Sequence, residues 1–130
     1  MRQIASRATL VLGSLGILQT APASAVEQGD ATRGQQLFVI QCAGCHALDP
    51  TQQRMGPPLA GVVGRKAGSV EGVRYSAALR DAGFIWDETR LDGYLANPGR
   101  YLPGTTKAVS VPNPKARADL IAYLRSQSKP

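Results

Sequence analysis

The chain has 130 residues, a formal net charge of +6, 43% hydrophobic but only 5% aromatic residues, with 14 glycines and 9 prolines. That is one domain at most, with sparse large apolar side chains, so a bare core would be marginal and a group filling the centre would help. Apart from Arg65-Lys66 the basic residues are scattered singly, which excludes the dense basic, aromatic-studded patch of a nucleic-acid binder.

Residues 1–25 read as a signal peptide. Arg2 and Arg7 form a positive start, Leu10 to Leu18 is a short apolar run, and "APASA" ends in the small-x-small pattern cleaved after Ala25. That run of nine residues falls far short of the roughly 20 that span a bilayer. Cleavage would leave residues 26–130, about 105 residues with a formal charge of +4, as a single domain. It contains no other segment apolar enough for stable membrane insertion.

Within that domain Asp30 is a suitable N-cap for a helix over about 31–41, with Leu37 and Phe38 on its apolar side. Directly after it comes Cys42-Ala43-Gly44-Cys45-His46, which holds both cysteines and the single histidine of the chain. C-x-x-C-H is the attachment sequence for c-type haem. Two residues between the cysteines let a helical turn present both thiols to one porphyrin edge, and the next residue directs its imidazole to the iron. A disulfide here would close a tiny loop and contribute little. A thioredoxin-like pair needs a preceding strand, and a zinc site normally wants four ligands where only three Cys and His exist. The motif therefore predicts one covalent haem c on Cys42 and Cys45 with His46 as the proximal iron ligand.

Further along, Ser76 can cap a short helix that Gly83 closes. Asp87 can cap "ETRLDGYLA", whose Leu91, Tyr94 and Leu95 share a face, and Asn97-Pro98 ends it. Asn113 and Pro114 can start a last helix with Leu120, Ile121 and Leu124 on its buried stripe. No alternating strand pattern occurs, and Gly/Pro loops such as "MGPPLAGVVGRKAG" separate the helices. The predicted fold is a small all-α domain whose loops wrap around a cofactor.

From "GDATRGQQLF" to "RADLIAYL" the chain resembles the class I cytochromes c of the mitochondrial and bacterial c2 type. The resemblance implies that fold, and a crossing of first and last helices at Gly34, Phe38, Leu120 and Tyr123. It places at Pro57 the carbonyl that accepts the proximal imidazole N–H, a bond that orients the ligand. Arg65, Tyr75 and Trp86 match residues that hold the haem propionates, and their guanidinium, phenol and indole are suitable donors. Gly104 and Thr105 match the loop that reaches the distal face.

There the chain departs from the family. After Pro103-Gly104-Thr105-Thr106 the expected axial methionine is replaced by Lys107. Past residue 25 the chain holds one methionine, Met55, on the loop of the proximal side, and there is no second histidine. The sixth position is left to Lys107, another weak donor, water or nothing. An ordinary lysine has a pKa of about 10.4, so a proton competes with the metal, although burial favours the neutral amine.

The function this implies is a periplasmic single-electron carrier, not an enzyme, acting as a monomer between redox partner proteins such as membrane complexes or periplasmic dehydrogenases. Arg54, Arg65, Lys66, Arg100 and Lys107 are candidates for a loosely basic rim facing an acidic partner. The alternative is a haem-based binder or sensor of small ligands, or a weak peroxidase, using a vacant distal position.

Overall fold

The computed structural model describes residues 28–128; the expected signal peptide and its cleavage point lie outside the described residues. Five helices occur among them: α1 (Ala31–Gln41), α2 (Ala77–Arg80), α3 (Glu88–Ala96), α4 (Pro98–Tyr101) and α5 (Pro114–Ser126). Among the described residues there is no sheet, only an isolated antiparallel bridge between Lys66 and Ile85.

The helix starts follow the sequence chemistry. The side chain of Asp30 accepts from the Thr32 and Arg33 amides, Ser76 from Leu79, Asp87 from Arg90 and Asn113 from Ala116. Each such cap contributes about 1 kcal/mol by satisfying an amide that has no partner within its helix. Past α2, Gly83 turns the chain at a φ of 69°, in the left-handed region. Asn97-Pro98 does end α3, but it also starts α4. Asn97 accepts from the Arg100 amide and Pro98 occupies the first turn, where a missing N–H costs nothing.

The crossing of α1 and α5 sets the frame. Gly34 lies so close to α5 that a Cβ added there would come 2.0 Å from the Asp119 carbonyl oxygen. Beside it the Phe38 and Tyr123 rings pack with centroids 5.7 Å apart. Asp119 is buried at this crossing, and its carboxylate accepts from the Asp30 amide (2.6 Å), Arg33 Nε (3.0 Å) and Lys115 Nζ (2.8 Å). These bonds hold its pKa far below the usual carboxylate range.

Leu91, Tyr94 and Leu95 of α3 and Leu120, Ile121 and Leu124 of α5 are buried together, as their spacing predicts. On α1 the apolar side is narrower than expected. Phe38 is buried, Leu37 is only half-buried, and Val39 and Ile40 are exposed. The long loops between α1 and α3, and between α4 and α5, leave the inner faces of α3 and α5 looking into a cavity.

Candidate cofactor site

The cavity measures about 380 Å³, within the usual range for a small-molecule site. Leu59, Val62, Leu91, Leu95, Leu120 and Leu124 give it an apolar lining. Cys42, Cys45 and His46 line it as well. They sit on the turn that continues α1, where the Cys45 and His46 amides both donate to the Cys42 carbonyl, at 3.0 and 2.9 Å. Cys42 is half-buried and Cys45 exposed.

His46 Nδ1 lies 2.8 Å from the Pro57 carbonyl oxygen. A carbonyl can only accept, so Nδ1 carries the proton and the Nε2 lone pair is left for a metal. Burial lowers the imidazole pKa, against the opposing effect of that hydrogen bond, which favours the neutral ligand form. Gly56 completes the seat, since a Cβ there would fall 2.3 Å from His46 Cε1. The loop is fastened beneath the ring by Gly56 N to Cys45 O (2.8 Å) and Leu59 N to Ala47 O (2.9 Å).

Arg65, Tyr75 and Trp86 share the same cavity wall. The Arg65 guanidinium is half-buried and donates to the Pro58 and Ala60 carbonyls, at 2.8 and 3.3 Å. Among the described residues no carboxylate pairs with it. A half-buried cation lining a cavity, bonded only to carbonyls, fits a ligand that brings carboxylates of its own. This inward placement takes Arg65 out of the outer basic rim. Trp86 packs edge-on against Phe84, and the Tyr75 hydroxyl accepts from the Val70 amide at 3.4 Å.

Thr106, Lys107, Ala108 and Val109 line the cavity as well. Lys107 is half-buried; burial lowers its pKa, while the Cys42 and Cys45 thiols act in the opposite sense. Thr105 stands one step back from the wall, where its hydroxyl lies 2.5 Å from the hydroxyl of Tyr94, which does line the cavity. Met55 is 85% exposed at the cavity mouth, next to the glycine that seats His46. Sequence reasoning missed Gly56 and Tyr94 as site residues. A loop glycine and an amphipathic tyrosine carry no one-dimensional mark of touching a cofactor.

An apolar cavity, two cysteines on one turn, a seated imidazole and a half-buried guanidinium with no carboxylate partner among the described residues fit a haem, and together they define an all-α protein with a covalent haem site. The comparisons agree. The family model described as Cytochrome c matches residues 31–128. Cytochrome c2 of Rhodomicrobium vannielii is 47% identical over 107 residues, covering 81% of this chain and 85% of that one. Cytochrome c of Cochliobolus lunatus is 44% identical over 79% of this chain and 97% of that one, and cytochrome c of Arabidopsis thaliana 43% over 78% and 93%. The chain belongs to the cytochrome c family. It is a haem-containing electron carrier with one covalently bound haem c.

Proposed function

We propose that this chain is an exported, periplasmic single-electron carrier whose haem is held by Cys42 and Cys45 and ligated by His46 on one face and Lys107 on the other. The observation that carries the distal assignment is the half-buried position of Lys107 in the lining of the cavity that Cys42, Cys45 and His46 also line. When bound, the haem supplies one-electron chemistry at its iron.

The protein's part is binding, orientation and exclusion of water. The Pro57 carbonyl fixes the His46 ring and raises its basicity. Arg65, Tyr75 and Trp86 stand where they can hold the propionates, and the leucines of α3 and α5 keep the cavity dry. No helix among the described residues is long and apolar enough to cross a membrane, and "APASA" supports export with cleavage after Ala25. The partners on this reading are redox proteins, membrane complexes or periplasmic dehydrogenases, met by a monomer.

Optical and paramagnetic resonance spectra of the ferric protein test the ligand set. A low-spin spectrum without the weak sulfur-to-iron charge-transfer band, lost in Lys107→Ala with the haem still attached, is expected. A high-spin wild-type protein would instead favour a ligand-binding or peroxidase-like role. Intact Met1 on protein recovered from the periplasm would overturn the export reading.

A further inference from the structure

The segment carrying Lys107 is attached in an unusual way. Among the described residues, no backbone-to-backbone hydrogen bond involves residues 106–110, and the Lys107 amide reaches only the Thr105 hydroxyl, at 3.4 Å. Thr106, Ala108, Val109 and Ser110 are exposed. The segment is pinned at its ends instead. At the near end Thr105 bonds Tyr94. At the far end the Val111 amide donates to the Leu95 carbonyl at 2.7 Å, and Arg117 holds the following turn.

Arg117 is suited to that task. Its side chain is 11% exposed; Nε donates to Asp92 at 2.7 Å, and Nη1 donates to the Val111 and Pro112 carbonyls at 3.0 and 2.8 Å. One planar guanidinium thus joins α3, α5 and the end of the Lys107 segment. A lysine ammonium lacks the fixed fork needed to keep all three bonds in one geometry. The Arg117 side chain is not among those lining the cavity, so it acts on the haem indirectly, through the segment and the two helices it joins.

We propose that Arg117 is a positioning residue: by clamping the 111–112 turn it sets how long Lys107 stays over the distal face, and hence how readily an external nitrogen ligand displaces it. This rests on the Lys107 ligation proposed above. Losing hydrogen bonds from a charged donor should change the open population of the segment about tenfold or more. The same clamp would make the segment, rather than the whole fold, the unit that opens.

The test uses the ferric holoprotein and free imidazole as the probe. Rapid mixing gives the displacement rate, and hydrogen exchange of the Val111 amide, which is bonded to Leu95, gives the opening of the segment's far end independently of the haem spectrum. Arg117→Ala is expected to speed displacement about tenfold and to raise exchange at this amide. Arg117→Lys should recover part of both effects, and Asp92→Asn, which spares the two carbonyl bonds, should lie nearest the wild type. If Arg117→Ala does not fold, the Arg117→Lys and Asp92→Asn pair carries the same ranking. In a Lys107→Ala background the Arg117 effect on displacement should vanish. Unchanged displacement in Arg117→Ala, with Lys107→Ala still altering the ferric spectrum, would overturn the clamp and leave the ligand assignment standing. If Lys107→Ala leaves the ferric spectrum unchanged, the ligand assignment fails and takes the clamp with it.

Discussion

On the His46 side of the cavity the loop is bonded back to the chain at short intervals, by Gly56 to Cys45, Leu59 to Ala47 and Ala60 to Leu48. On the Lys107 side residues 106–110 span two attachment points without a backbone bond of their own. The first wall fixes one imidazole by fitting the backbone around it. The second holds a side chain whose replacement leaves the backbone bonds intact. A change of residue at position 107 should therefore be tolerated by the fold, whereas an added methyl beneath His46 should not.

Gly56→Ala should test the rigid wall most severely. The new Cβ would lie 2.3 Å from the His46 ring, so the ring must turn and release the Pro57 carbonyl. A loss of about 3 kcal/mol in denaturant unfolding is expected, together with a reduced yield of haem-bearing protein. A holoprotein of normal yield and stability would show that this wall is as adaptable as the other.

Asp119 lies at the crossing of α1, which runs into the His46 turn, and α5, which carries Arg117, so its loss should weaken the frame under both walls. Asp119→Asn is expected to cost about 2 kcal/mol near neutral pH, since the charge is lost and the new NH2 group cannot accept from whichever of Arg33 Nε or Lys115 Nζ it faces. The carboxylate's folded pKa is depressed below its unfolded value. Its contribution is therefore fully present above the unfolded value of about 3.9 and is lost as the pH falls below it. Stability measured from pH 7 down to pH 3 should decline less in the variant than in the wild type. Parallel curves would contradict this.

Tyr94→Phe should give the smallest effect. It removes one bond to Thr105, worth about 1 kcal/mol, and should raise hydrogen exchange at the Thr105 amide, which is bonded to Leu102, while leaving the Gly56 amide protected. Equal changes on both walls would erase the contrast between them.

Much of this was legible in the sequence. Cap residues and apolar spacing mark local hydrogen bonds and buried stripes, so four of the helices could be placed from Asp30, Ser76, Asp87 and Asn113. The C-x-x-C-H turn is equally local, and the resemblance supplied Pro57. What escaped depends on distant contacts. Gly56 reads as an ordinary loop glycine until His46 is seen above it, ten residues back in the chain. Asp119 reads as a surface acid of α5, because its partner Arg33 belongs to another helix and the Asp30 amide precedes that helix. Leu37 reads as core, but α5 covers only the face that carries Gly34 and Phe38.

The most direct test of the distal assignment is the midpoint reduction potential of the wild type against Lys107→Met. A hard amine favours ferric iron more than a thioether does. The methionine variant is expected to show the sulfur-to-iron charge-transfer band and a clearly higher potential, with the fold unchanged. Equal potentials and no new band would mean that residue 107 does not reach the iron, contradicting the central claim.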